Sequence, residues 1–465
     1  MNNYLVIIFG GSGDLAKRKL IPALYKLWVH NKVTQLCMVA VASDDTTAET
    51  ILNEARTFIT DELLKEQDWA DFVSRFFYQR LHFEELNDFF TLKQYVESLE
   101  KTFNLSGNRM FYIATASQFF CLITEALAKS KLACSADKWE SYWHYIVYEK
   151  PFGHDEQSAR EINSCIARFF LESQIYRIDH YLTKELVSSI SLLRFTNCVL
   201  EPLWNNHYID HVQIILSETN SIGTRGRYYD HFGALKDVVQ NHMLELLALV
   251  AMEPPELLTG EYIRKKRLQV LQKVRVQDVL LGQYKGYTEE KYVDPSSQTE
   301  TYALLALSVE NFRWKGVPFY MKTGKCLDRR ETVIHIVFKQ VDCLLAHCPQ
   351  DPNSLTIRIN PKGEISWRVN VKKIGATDAV MPVDMVFCHS CLFGDSTPES
   401  YEVIFEEIAK GEQAVSVRFD EIECAWNIID PLNQYRNEMV IYEQGVTGPS
   451  EEQNFLKKHS FKWLT

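Results

Sequence analysis

Residues 4–9 form an unbroken apolar run with β-branched members, and it stops at Gly10-Gly11-Ser12-Gly13-Asp14-Leu15-Ala16. Leu20, Leu24, Leu27 and Trp28 then recur at i, i+4, i+7 and i+8, one face of a helix. Pro22 interrupts that face, so the pattern predicts a short first helix and a second with Pro22 near its start. A second apolar run, residues 37–42, ends in Ser43-Asp44-Asp45. Strand, tight turn, helix and strand in that order make one βαβ unit. Residues 108–114 and 143–148 read as later strands of the same sheet, the second running into Glu149-Lys150-Pro151-Phe152-Gly153. Residues 233–248 read as a helix whose buried stripe is Leu235, Val238, Val239 and Leu246, with Asp237 and His242 as polar members. Residues 317–321 read as a strand leading into a basic turn, Lys322-Thr323-Gly324-Lys325, with Arg329 and Arg330 beyond. Loops are expected around Gln350 and over residues 377–382.

At 465 residues the chain is long enough for two domains. Its 46% hydrophobic and 24% charged content is globular, not disordered. Lys and Arg number 50 against 61 Asp and Glu, and the formal charge of −11 argues against nucleic acid or an anionic membrane as the main partner. No run approaches the roughly 20 apolar residues of a membrane helix. The N-terminal run is read as a buried strand and not as an export signal, because Lys17 and Arg18 follow it. The 11 Cys are irregularly spaced, which predicts reduced thiols in a cytoplasmic protein. Cys388 and Cys391 have the spacing of half a zinc site, with Cys343, His347 and Cys348 upstream. A structural zinc needs four ligands, commonly as two tight pairs, so these are read as packed thiols and no metal is expected.

The glycine-rich turn is the most informative local feature. A pyrophosphate must approach backbone N–H groups at a helix N-terminus, and a Cβ would hold it away. Gly11, Gly13 and Ala16 fit the dinucleotide fingerprint, Gly10 and Gly13 a more open frame, and the flanking strand and helix are the required context. Asp44, after the second strand, suits the ribose hydroxyls of NAD, where an Arg would suit the 2′-phosphate of NADP. Lys150 places a cation at the carboxyl end of a strand, where open α/β sheets bind ligands, and Pro151 makes a cis peptide plausible. In Arg177-Ile178-Asp179-His180-Tyr181-Leu182-Thr183-Lys184-Glu185, extended backbone would put Asp179 and Tyr181 on one face. Helical backbone would pair His180 with Lys184, or make Asp179 an N-cap. The basic turn ending in Lys325 suits a sugar phosphate.

GGSGDLAKRKL, EKPFG, RIDHYLTKE, GALKDVVQNH and PFYMKTGK, in this order and at these intervals, resemble the glucose-6-phosphate 1-dehydrogenase family, and the likeness runs on through PESYE and AWNIIDP. The resemblance implies a Rossmann-type dinucleotide-binding α/β domain, placed at residues 1–177. It also implies a larger α+β domain, residues 178–465, with an extended, mostly antiparallel sheet that serves homodimers or homotetramers. The implied activity is oxidation of glucose 6-phosphate to the lactone, the first oxidative step of the pentose phosphate pathway, with NADP or NAD. Carried over residue by residue, His242 is the general base and Asp179 the carboxylate that orients it. His180, Tyr181 and Lys184 anchor the phosphate. Lys150, Glu218, Asp237, Lys325 and Arg330 contact the sugar or its phosphate. Gly10, Gly11, Ser12, Gly13, Asp14 and Leu15 form the coenzyme loop, with Lys150 and Asp44 beside it.

Departures from the family pattern bear on the coenzyme and on loops. Asp44 stands where most relatives carry Arg, so NAD or dual use is expected on electrostatic grounds, against the family habit of NADP. Thr183 replaces Gly, Ser188-Ser189 replace Gln-Asn, Arg227 replaces Gly and Ser117 replaces Pro. The rival readings are a dehydrogenase of another sugar phosphate or free hexose, and a ligand-binding relative without turnover.

Overall fold

The structure is a computed structural model, and it describes residues 3–33, 35–135, 142–341, 351–375, 379–388, 391 and 398–464. The chain divides into two compact units. The first comprises residues 1–183, 259–261 and 398–419, and the second the remainder.

In the first unit, β1 (Asn3–Phe9), β2 (Gln35–Ala42), β3 (Phe76–Arg80), β4 (Arg109–Ile113), β5 (His144–Tyr148) and β6 (Ile175–Arg177) form one sheet ordered β3-β2-β1-β4-β5-β6. Every pairing in it is parallel. That is the doubly wound order, which leaves a ligand crevice at the carboxyl ends of β1 and β4. A parallel sheet is covered on both faces, so its strands are apolar throughout, and all seven residues of β1 except Asn3 are buried. The predicted break at Pro22 is a π-helical turn, Ala16–Leu20, leading into the helix Ile21–Val29 with Pro22 in its first turn. Widening the turn absorbs the missing N–H of proline without ending the helix.

The sequence reading ended this domain at residue 177, but the compact unit continues to Thr183 and recruits residues 398–419. The cause is backbone pairing. Arg177 N donates to Ser416 Oγ at 3.0 Å, Val417 N donates to Arg177 O at 3.0 Å, and Ile178 bridges Ser416. Ile404, Phe405 and Ile408 of the returning segment join the core beneath β1 and β4.

The second unit is built on a nine-stranded sheet ordered β14-β13-β12-β11-β7-β10-β9-β8-β15. Its strands are β7 (Ile209–Ser217), β8 (Val274–Tyr284), β9 (Tyr302–Val309), β10 (Pro318–Gly324), β11 (Glu331–Phe338), β12 (Ser354–Asn360), β13 (Glu364–Lys372), β14 (Val380–Cys388) and β15 (Val440–Tyr442). The β7–β10 and β8–β15 pairs are parallel and the others antiparallel. The loop expected over residues 377–382 is overturned at its end: Pro382 lies within β14, paired with Asn370. Proline is tolerated there because β14 is an edge strand, with one side free of ladder bonds. The loop around Gln350 lies outside the described residues.

The cysteine expectation needs correction at four positions, since Cys121 pairs with Cys165 and Cys388 with Cys391 as disulfides. Cys37, Cys134, Cys198, Cys326 and Cys424 are free thiols. Cys343, His347 and Cys348 lie outside the described residues. Among the described residues, no helix is long and apolar enough to cross a membrane.

Candidate functional site

The turn after β1 is shaped by what each glycine must avoid. Gly10 has φ +78°, and a Cβ there would stand 2.6 Å from the Ala114 carbonyl oxygen; one on Gly11 would stand 2.6 Å from the Ala40 Cβ. Gly10 N and Gly11 N both donate to Val41 O, at 2.8 and 3.1 Å, which ties the turn to β2. Gly13 N closes the turn on Gly10 O at 2.9 Å, and the helix begins at Asp14. The first N–H groups of a helix have no partner within it and carry partial positive charge, so this cradle fits a pyrophosphate. Leu15 is half-buried behind it. Ser12 Oγ donates to the Asp44 carboxylate. The Asp44 side chain thus joins the turn after β1 to the turn after β2, at the ribose end of such a crevice.

Lys150 follows β5, and the Lys150–Pro151 peptide is cis. The preceding Glu149 carboxyl accepts from the Tyr112 hydroxyl at 2.5 Å. Burial pushes this carboxyl above the usual range, while the Tyr112 and Tyr401 hydroxyls and Lys150 pull against that. Neither tyrosine was singled out from sequence. Tyr112 is an ordinary strand residue by pattern, and Tyr401 lies in a distant segment.

For residues 177–185 the structure overturns the helical alternative. Helix Glu185–Phe195 starts later, and Asp179 is not its cap. Asp179 Oδ1 instead accepts from Tyr181 N at 2.8 Å, a local i to i+2 turn. Asp179 is buried, and the His180 and Tyr181 rings meet edge to face, 5.0 Å between centroids. Thr183, unexpected in this motif, is accommodated because its hydroxyl donates to His180 O at 2.8 Å. Lys184 opens the second unit.

In the second unit, Asp237 and His242 are buried on a π-helical stretch, Leu235–Met243, which continues as helix Leu244–Ala251. At 3.6 residues per turn, positions five apart diverge by about 140°. Closing i to i+5 bonds instead turns them toward one side. Asp237 accepts from the Tyr228 hydroxyl at 3.1 Å, with Arg225 at 3.8 Å. The stretch is entered through Gly233, φ +68°, where a Cβ would meet Glu300 Oε1 at 2.4 Å. Glu300 Oε1 also accepts from Leu235 N at 3.0 Å, so a buried acid fixes the start of the π turn. Glu300 is another residue that no sequence signal marked.

The basic turn is not a turn as far as Gly324, because β10 runs through Lys322, Thr323 and Gly324. Its cations are separated. Lys322 Nζ pairs with Glu452 at 2.9 Å, and Lys325 Nζ pairs with Glu218 at 2.5 Å, with both lysines buried. Glu218 and Lys325 are therefore joined, as two members of one predicted set. Arg329 faces Asp328 and Glu331, and Arg330 is exposed.

Comparison with known proteins now decides the family. A glucose-6-phosphate dehydrogenase NAD-binding-domain model matches residues 7–189, and a glucose-6-phosphate dehydrogenase C-terminal-domain model matches residues 191–464. The chain belongs to the glucose-6-phosphate dehydrogenase family. It is 36% identical to glucose-6-phosphate 1-dehydrogenase of Chlamydia pneumoniae, covering 99% of this chain and 95% of that one. It is also 36% identical to the Bacillus subtilis enzyme of that name, covering 99% and 98%. A solved glucose-6-phosphate dehydrogenase in complex with its substrate glucose-6-phosphate superposes with a TM-score of 0.92 at 29% identity, over 100% of this chain and 99% of that one. The Rossmann-type first domain and larger mixed-sheet second domain are those of the family.

Proposed function

We infer that this chain oxidises glucose 6-phosphate at the anomeric carbon to a lactone, with hydride passing to a nicotinamide dinucleotide. The observation that carries the reading is family membership across both domains, and the sequence holds His242, Asp179 and Lys184, to which the resemblance gives the base, its carboxylate partner and a phosphate anchor. Loss of hydride from the anomeric carbon leaves positive charge on the sugar, so removing the hydroxyl proton as hydride departs lowers the barrier. A group with an ordinary pKa near 6.5 suits that task, which favours His242. In this reading the His242 imidazole takes the proton, and Asp179 orients the ring and stabilises its charged form. The C1–O bond gains double-bond character as the C1–H pair leaves. Bound coenzyme supplies the hydride acceptor. His180, Tyr181 and Lys184 hold the phosphate dianion through charge-assisted bonds, and Lys150, Glu218, Asp237, Lys325 and Arg330 orient the sugar. Asp44 favours NAD, or dual use with weaker NADP binding, because a carboxylate repels a 2′-phosphate. A cytoplasmic setting belongs to this reading, supported by the unbonded thiols of Cys37, Cys134, Cys198, Cys326 and Cys424 and opposed by the two disulfides.

His242→Asn is expected to lower kcat by at least about a hundredfold while coenzyme still binds. Following reduced-coenzyme absorbance with glucose 6-phosphate checks this, and residual activity within about tenfold of the parent would refute the assignment. Free glucose serves as the control, since equal turnover of it would favour a hexose dehydrogenase.

The reading includes a homodimer or homotetramer formed through the second sheet. Its support is the edge strand β14, on which Met381, Val383, Met385 and Phe387 are exposed at alternate positions. A contiguous exposed apolar strand face is costly unless covered.

A further inference from the structure

Sequence reading left the ribose end of the coenzyme crevice acidic, with Asp44 and Asp45 and no cation. The fold brings one in from the neighbouring strand. In the β2–β3 pairing, Ala42 stands opposite Arg80, so the last residue of β3 lies beside the turn that follows β2. Arg80 Nε donates to the Ser43 carbonyl at 3.0 Å, and Arg80 Nη1 lies 4.0 Å from Asp45 Oδ1. Tyr78, two residues earlier and so on the same strand face, has its hydroxyl 2.5 Å from Asp44 O and 3.1 Å from Ala42 O. The acidic turn is gripped from β3 by a phenol and a guanidinium, while the Asp44 carboxylate accepts from Ser12.

This arrangement gives the guanidinium a fixed orientation and leaves it accessible. Its Nε is held by a backbone carbonyl, and 53% of the side chain is exposed. A guanidinium carries five N–H donors in a planar fork matched to phosphate, so donors remain after the Ser43 bond. With Asp44 and Asp45 alone, a 2′-phosphate would meet two like charges. With Arg80 beside them it also meets a cation able to bond two of its oxygens.

We propose that Arg80 is the specificity residue that lets this coenzyme site admit a 2′-phosphorylated adenosine ribose, from β3, while Asp44 serves the unphosphorylated ribose. Tyr78 is a positioning residue, holding the backbone of the turn between them. The proposal rests on the coenzyme reading above and deepens it. It makes the chain a dual-coenzyme enzyme by a split device, with one side chain for each ribose.

The test is Arg80→Gln assayed with NADP and with NAD at saturating glucose 6-phosphate, with Arg80→Lys alongside. In the Gln variant, kcat/KM for NADP relative to that for NAD is expected to fall about tenfold or more, the worth of one lost charge-assisted phosphate contact. The Lys variant should recover part of it. In a second measurement that needs no change in turnover, 2′,5′-ADP competing with NAD should inhibit the parent at least about tenfold better than the Gln variant. A ratio that does not move, a parallel fall for both coenzymes, or a parent without measurable NADP turnover each overturns the role of Arg80 and leaves the coenzyme reading standing. Failure of the parent to bind either coenzyme or 2′,5′-ADP overturns both.

Discussion

His144 opens β5, and its Nδ1 accepts the Cys134 amide at 2.9 Å, so that nitrogen carries no proton. Burial, reinforced by the nearby Arg109 charge, pushes its pKa down to about 3. In the unfolded chain a histidine titrates near 6.5. Below that pH the unfolded state binds a proton that the folded state refuses, so stability is complete above pH 6.5 and is lost as pH falls toward about 3. The loss approaches about 1.4 kcal/mol per pH unit for this one group. His144→Gln keeps an acceptor for the Cys134 amide and cannot titrate. Urea midpoints of the two proteins between pH 6.5 and 4 should therefore show a flatter slope for the variant, and parallel slopes would count against a buried neutral ring. His335, likewise pushed down to about 3 by burial, adds to the acid sensitivity of the second unit.

Two stretches among the described residues are π-helical, and each lies beside candidate site residues. The π turn at Ala16–Leu20 follows directly on the glycine cradle, and that at Leu235–Met243 carries Asp237 and His242. Apolar periodicity marked both stretches as helical but is too coarse to report one extra residue per turn. Strand β14 shows the opposite case, an element whose inside and outside are both exposed within one chain. If the second sheet forms the subunit interface, Met385→Asp puts a charge into a dry contact and should raise the dimer dissociation constant by at least about tenfold, at about 1.4 kcal/mol or more. Sedimentation over a concentration series reads this directly. An unchanged association state would remove β14 from the interface.

At the scale of the whole molecule, each unit is closed by segments far apart in the chain. In the second unit, Arg267 is fully buried, and its Nε stands 2.8 Å from Glu421 Oε1 and 3.3 Å from Glu245 Oε2. The partners Arg267 and Glu421 are 154 positions apart. This ion cluster fastens helix Gly260–Leu271 to helices Phe419–Ile429 and Leu244–Ala251. Removing one partner of a buried pair leaves an uncompensated charge, so Arg267→Ala should destabilise the protein by about 3–5 kcal/mol. Chemical denaturation measures it. A loss under about 1 kcal/mol would mean that water reaches the site and screens the pair.

The glycine turn proposed to meet coenzyme phosphate was legible in the chain, because a Cβ-free turn between an apolar strand and a helix is a local requirement written in consecutive positions. Family motifs likewise marked Asp179, His242 and the lysines by order and spacing. The separation of the cations was not legible, since only folding shows that Lys322 answers Glu452 and Lys325 answers Glu218. Nor was the boundary after Thr183, which depends on a segment that returns at residue 398. Arg80 makes the same point for the coenzyme. Sequence alone put an acid after β2 and no cation, whereas strand pairing sets a residue 36 positions after Asp44 (80 − 44 = 36) beside that turn. Short-range steric demands determine which residues a turn can hold; electrostatic neighbours are chosen by the tertiary fold, because charge acts across space and not along the chain.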